Sequence, residues 1–249
     1  MNITDNTILI TGGGTGIGRG LAEALHGAGN TVIIAGRRRA PLEAVVAAHP
    51  GMHLVTLDIE DATAIRDFAA RLVAEHPRLN VLVNNAGIMR AEDVFAGPDA
   101  LAIAEATIAT NLLGPIRLTS ALLPHLLAQP KAAVVNVSSG LAFVPRADTP
   151  TYSATKAAIH SYSISLRHQL RNTAVQVIEL TPPLVATDLT PGQRDNPRAL
   201  PLESFIRESM ALLAADPNAA EILVERVMMQ RRAEATGCFT EVFDMINPR

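Results

Sequence analysis

Thr11-Gly12-Gly13-Gly14-Thr15-Gly16-Ile17-Gly18 sets the architecture of this chain. It follows Thr7-Ile8-Leu9-Ile10, a short β-branched apolar run that reads as a buried strand. It leads into Arg19-Gly20-Leu21-Ala22-Glu23-Ala24-Leu25, where Leu21 and Leu25 fall on one helical face. Strand, glycine turn and helix in that order build an anion site. Glycines let the backbone approach a pyrophosphate, and the free N–H groups of the helix start favour negative charge. A glycine-rich loop without a ligand is the competing reading. The G-x-G-x-x-G fingerprint cannot be laid on these glycines in any register, and no lysine followed by Ser or Thr closes a P-loop. What fits is Gly12-x-x-x-Gly16-x-Gly18, preceded by Thr11.

Composition narrows the function classes. A chain of 249 residues with 48% hydrophobic content is ordinary for one α/β core. A net charge of -3 gives no support for binding nucleic acid or an anionic membrane. The start, Met1 to Asn6, lacks the basic and apolar regions of a signal peptide, and no run approaches the roughly 18 apolar residues of a membrane span. The one cysteine, Cys238, forms no internal disulfide and suits a reducing compartment. The seven histidines lack ligand spacing, so no catalytic metal is expected. A soluble cytoplasmic protein is the expectation.

Further short apolar runs follow at 31–35, 53–57, 81–83, 133–137 and 175–180, alternating with helical stretches at 41–49, 61–76, about 99–129 and around Tyr152. That alternation predicts a single-domain α/β fold over 1–249, a Rossmann-type doubly wound parallel sheet of six strands. Residues 202–247 read as helix throughout, and Glu221 to Val227 carries no pairing signal for a seventh strand. Thr187 to Pro201, mixing Pro, Gly and charge, reads as a mobile loop, and about 187–235 as substrate loop and helical cap.

The strand ends carry the chemistry, as open α/β sheets require. They are Gly36-Arg37-Arg38-Arg39, Asp58-Ile59, Asn84-Asn85-Ala86-Gly87, Ser138-Ser139 and Thr181-Pro182-Pro183. Tyr152 and Lys156, four apart on a helix, share a face. An ammonium near a phenol lowers its pKa, and a fall of about 3 units corresponds to roughly 4 kcal/mol. Ser139 stands 13 positions before Tyr152 (152 − 139). Y-x-x-x-K by itself is common as a surface pair. With the glycine spacing, Asn84 to Gly87, Asn111 and Ser139 in this order, residues of about 7 to 187 resemble the short-chain dehydrogenase/reductase family. Pro182-Pro183, Leu202 to Phe205 and Glu221 to Val227 look like its DltE-type subgroup.

The resemblance implies hydride transfer between a nicotinamide cofactor and a carbonyl/alcohol pair. Tyr152 would be general acid or base, with Lys156 lowering its pKa and binding the ribose. Ser139 would polarise the carbonyl, and Asn111 would order a relay water. Cofactor contacts would come from Gly12, Thr15, Gly16, Ile17 and Gly18, and from Asn84, Ala86 and Gly87. Asp58 and Ile59 would meet the adenine, with helix capping the rival role for Asp58. Pro182 and Thr187 would lie at the nicotinamide. Gly36 stands where NAD-dependent relatives carry aspartate, so Arg37 and Arg38 imply NADP(H), while Arg39 reads as solvated. Leu141, Phe143, Val144 and the 189–205 region are expected to wall a partly apolar substrate pocket. Apolar faces at Ala104, Ile108, Leu112, Ala157, Ile164 and Leu166 imply a homodimer or homotetramer. Pro115, lacking an N–H, cannot bond the carbonyl of Asn111 and is expected to bend that helix and leave an acceptor for the relay water. The competing function is a nucleotide-binding sensor without turnover, against which retention of the four catalytic residues argues.

Overall fold

The strands form because their sequences are nearly continuous apolar runs, the pattern of parallel strands covered on both faces. The structure, a computed structural model, describes residues 1–248, apart from the side chains at 99 and 100. Its one sheet has seven parallel strands in the order β3-β2-β1-β4-β5-β6-β7. They are β1 (Thr7–Thr11), β2 (Thr31–Gly36), β3 (His53–Thr56), β4 (Leu79–Asn84), β5 (Ala132–Val137), β6 (Val175–Thr181) and β7 (Glu221–Leu223). The chain runs outward from β1 to β3, then returns to begin β4 on the other side of β1. The loops after β1 and β4 therefore flank a topological switch point, where such sheets bind ligands.

Alternate side chains of each strand enter opposite layers. Ile8 and Ile10 pack with Leu21, Leu25 and Phe205, contributed by α1 (Gly16–Gly27) and α7 (Leu202–Ala215). Leu9 packs with Phe68 of α3 (Ala62–Glu75) and Leu118 and Leu122 of α5 (Gly114–Leu127). Each such side chain contributes about 1.5–3 kcal/mol by burial. The remaining helices are α2 (Arg39–Ala48), α4 (Pro98–Ile108), α6 (Pro150–Leu170), α8 (Met228–Arg232) and α9 (Phe239–Ile246). No helix among the described residues is long and apolar enough to cross a membrane.

One expectation is corrected. The 202–247 region is not helical throughout, because β7 pairs with β6, Leu180 opposite Ile222. A three-residue edge strand with one fully buried side chain, Ile222, is too short to show a period. Within that region, helix α7 has a defined seat. It lies on α1, where Gly20 gives Ile206 room; a Cβ there would meet Ile206 Cγ1 at 2.8 Å. The long helix at 98–127 is broken by a π-turn, Ala109–Leu113, in which the Gly114 N–H donates to the carbonyl of Ala109, five residues back. Pro115 stands next to it, so the extra residue per turn falls where a regular bond to Asn111 is impossible.

Candidate active site

The glycine turn and the end of β4 form one unit. Thr11 Oγ1 accepts the N–H groups of Asn85 and Ala86, each at 3.0 Å, and the Asn85 amide donates to the Thr11 carbonyl at 2.9 Å. Gly16 opens α1 with φ +55°, a conformation that favours glycine. Thr15, the N-cap, makes no side-chain capping bond, so no cap competes with an anion for the first-turn N–H groups. Gly12, Thr15, Gly16 and Ile17 line the cleft, as do Ala86 and Gly87. Gly18 does not. A Cβ on it would lie 2.3 Å from Asn85 Nδ2 and 2.4 Å from the Gly12 carbonyl oxygen, so Gly18 lets the two loops touch. These residues suit a pyrophosphate at the end of α1.

A neighbouring pocket beyond the glycine turn is lined by Arg37, Arg38 and Ile59. Arg37 is already engaged, its Nη1 3.0 Å from Glu60 Oε1, which also accepts from Thr110 at 2.7 Å. Arg38 has no acidic partner among the described residues, whereas Arg39 pairs with Glu43 across one turn of α2. The Asp58 carboxylate accepts the N–H of Glu60 at 3.1 Å through Oδ1. It does not cap α3, a role taken by Asp61, which accepts from Thr63 and Ala64.

The side chains of two further expected residues, Asn84 and Asn111, are engaged within the protein, the Asn84 amide bridging strands as its chemistry allows. Asn84 is buried and donates to Asn136 on β5 at 2.9 Å and Thr119 on α5 at 3.0 Å, bracing strand to strand. Asn111, in the π-turn, clamps the backbone of Ile88 from both sides. Its Oδ1 accepts the N–H and its Nδ2 donates to the carbonyl, each at 2.8 Å.

Tyr152, Lys156 and Ser139 do converge on the cleft, a space of about 510 Å³. Pro150 and Thr151 start α6, and Glu92 accepts both the N–H and the hydroxyl of Thr151, which fixes the first turn before Tyr152. Ser139 follows β5, with its hydroxyl accepting the N–H of Leu141 at 3.1 Å. Burial pushes the Tyr152 phenol up to about 12, and the nearby Ser139 hydroxyl partly opposes this. The expected fall is therefore corrected. Lys156 Nζ lies 5.5 Å from the centre of the Tyr152 ring and donates to the Val137 carbonyl at 2.8 Å. Burial in turn brings Lys156 down to about 8, and Glu179 opposes that fall.

Pro182 and Thr187 border the same cleft, the Pro182 carbonyl held by the Gly140 N–H at 2.9 Å and the Thr187 hydroxyl by Gln193 at 3.1 Å. The apolar wall is the expected one only in part, through Leu189 and Pro191 of the 189–205 region. Leu141, Phe143 and Val144 do not line the cleft, and Val144 packs with Ala233 and Val242. Ile88, Met89, Val185, Leu189 and Pro191 do, with Arg90 and Asp188 as charged neighbours. Sequence reasoning misses Glu60 and Arg90 because no motif marks them; the only signal for Arg90 is its place three residues after Gly87.

The comparisons agree with this geometry. Residues 6–198 match the family model described as short chain dehydrogenase. The chain is 41% identical over 251 residues to the uncharacterized oxidoreductase DltE of Bacillus subtilis, covering 99% of this chain and 98% of that protein. A short-chain dehydrogenase from Streptomyces avermitilis superposes with a TM-score of 0.83 at 26% identity, covering 96% of this chain and 95% of the other. A 3-oxoacyl (acyl-carrier-protein) reductase from Agrobacterium tumefaciens, solved with NADP bound, does so with 0.76 at 28% identity, over 88% and 92%. With the parallel sheet, the glycine turn and the tyrosine–lysine helix at one cleft, the chain belongs to the short chain dehydrogenase family of oxidoreductases.

Proposed function

We propose that this enzyme transfers a hydride between NADP(H) and a small, partly apolar carbonyl or alcohol, with Tyr152 as general acid in reduction and base in oxidation. The observation that carries the reading is the convergence of Tyr152, Lys156 and Ser139 on one cleft with the glycine turn. The bound cofactor supplies the hydride. Tyr152, a neutral phenol at physiological pH, gives its proton to the substrate oxygen. Ser139 holds that oxygen, and Lys156 keeps positive charge beside the ring as the phenolate develops. The Asn111 carbonyl, opposite the missing donor of Pro115, holds a water that returns the proton.

NADP(H) is favoured over NAD(H) by Arg37 and Arg38 at the adenosine end, with no acidic residue at Gly36. The chain acts as one domain over 1–249, whose last position lies outside the described residues, with 187–201 as the substrate loop. It works as a homodimer or homotetramer in the cytoplasm. Ile108, Leu113 and Ile164 stand exposed on the helical faces that would pair, whereas Leu166 belongs to the core. Turnover of NADPH on a panel of aldehydes and ketones, by wild type and Tyr152→Phe, tests the reading.

A further inference from the structure

Helix α6 turns toward the sheet a polar stripe that runs beside its buried Ile159, Leu166 and Leu170. Lys156 donates to Val137 on β5, His160 Nδ1 lies 2.7 Å from Glu179 Oε2 on β6, Ser163 accepts from Asn136 on β5, and Arg167 donates to the Val177 carbonyl on β6. Lys156 and His160 are one turn apart and share a face. Glu179 pairs in register with Asn136, and Leu180 with Val137, so the Glu179 carboxylate and the Lys156 contact lie on neighbouring strands one residue apart. Glu179 is completely buried, and its Oε1 has no hydrogen-bond partner among the described residues. A buried carboxylate with a free oxygen is costly unless a cation is near.

We propose that Glu179, braced by His160, is a positioning residue for Lys156: a buried counter-charge on the strand beside the one whose Val137 carbonyl holds the ammonium. The proposal rests on the role assigned to Lys156 above. Glu179 is also the group that opposes the fall of the Lys156 pKa. The charged and titratable groups around the pair are Tyr152 and His160 on α6, Glu221 on β7, Arg231 on α8, and Arg90 and Asp188 on the cleft. Glu221 sits 3.9 Å from His160 Nδ1 but is held by Arg231 through both carboxylate oxygens, at 3.2 and 3.0 Å. His160, Glu179 and Glu221 bring their ligand atoms within 4.8 Å of one another. With the Arg231 guanidinium already on Glu221, Glu179 is the carboxylate of this cluster left, among the described residues, without a paired cation of its own.

The chain has two lysines, Lys131 and Lys156, so lysine-selective isotope labelling gives two side-chain signals whose titration NMR can follow in the intact protein. Lys156 is expected to titrate near 8 in wild type, and about 1 unit lower or more in Glu179→Gln, with Lys131 unmoved. Glu179→Asp, which keeps the charge but withdraws it, is expected to fall between the two. The alkaline limb of the pH–rate profile moves to lower pH with Lys156. A Lys156 that stays within about 0.3 unit of wild type in Glu179→Gln overturns the proposal, as does an equal shift in the Asp and Gln variants. If the Gln variant does not fold, an unmoved Lys156 in Glu179→Asp overturns it alone. The titration needs no turnover: a shifted Lys156 alongside an active Tyr152→Phe would refute the proposed function and leave the counter-charge standing.

Discussion

The Lys156 ammonium lies 5.5 Å from the centre of the Tyr152 ring and gives a hydrogen bond to the Val137 carbonyl, 2.8 Å away. The two groups are thus held apart as a neutral phenol and a buried cation, with the phenol at about 12 and the amine at about 8. Reduction requires both protons in place, so kcat/KM for reduction is expected to fall as pH rises through about 8, well before the phenol titrates. A rate that stays flat to about pH 10, the ordinary tyrosine value, would show that Lys156 need not be charged.

The same pair makes a stability prediction. The amine drops from 10.5 in the ordinary state to about 8 when folded, so between those values the unfolded chain binds more protons. Folded stability from this group therefore rises with pH across that window. Lys156→Met lacks the effect. Urea unfolding at about pH 8 and about pH 10 is expected to shift the stability difference toward wild type by roughly 2 kcal/mol at the higher pH. The opposite sign would mean that the folded state holds the proton more tightly.

Arg37 and Glu60 make the cofactor prediction. Their ion pair is partly exposed and worth about 0–1 kcal/mol, so a 2′-phosphate with charge-assisted bonds can displace Glu60. Arg37→Ala is expected to weaken NADPH binding by about tenfold or more and to leave NADH binding nearly unchanged. Glu60→Gln, which frees the arginine, is expected to tighten NADPH binding by up to about fivefold. Calorimetric titration of both cofactors checks each variant. Equal loss of NADPH and NADH in Arg37→Ala would place the arginine away from the phosphate.

Gly18 makes a packing prediction. Its missing Cβ is what allows the Asn85 amide and the Gly12 carbonyl to meet. Gly18→Ala is expected to force the glycine turn from the end of β4, costing about 1–3 kcal/mol and most of the cofactor affinity. Unchanged melting temperature and cofactor affinity would show that the loops separate freely.

The features readable from sequence are the local ones. Runs such as Ile8-Leu9-Ile10 enter both layers of the core, and β1 to β6 lie within a few residues of where their apolar runs place them. The glycine spacing and the order of Ser139, Tyr152 and Lys156 are equally local. β7 is not, since its pairing depends on Glu179 to Thr181, some forty residues away in sequence. The tertiary contacts Arg37–Glu60 and His160–Glu179 leave no periodic trace, and the direction of the Tyr152 shift depends on burial, which no spacing reports.

If Tyr152 donates the proton during carbonyl reduction with NADPH, removing its hydroxyl must show in turnover and not in cofactor binding. The decisive quantity is the steady-state rate of NADPH oxidation by wild type and Tyr152→Phe, with NADPH binding measured on both. The substrate is the aldehyde or ketone of a broad panel that wild type reduces fastest. Loss of about 10²- to 10⁴-fold in kcat at unchanged NADPH affinity is the expected outcome. A variant that keeps more than about half of the wild-type kcat would show that another group delivers the proton.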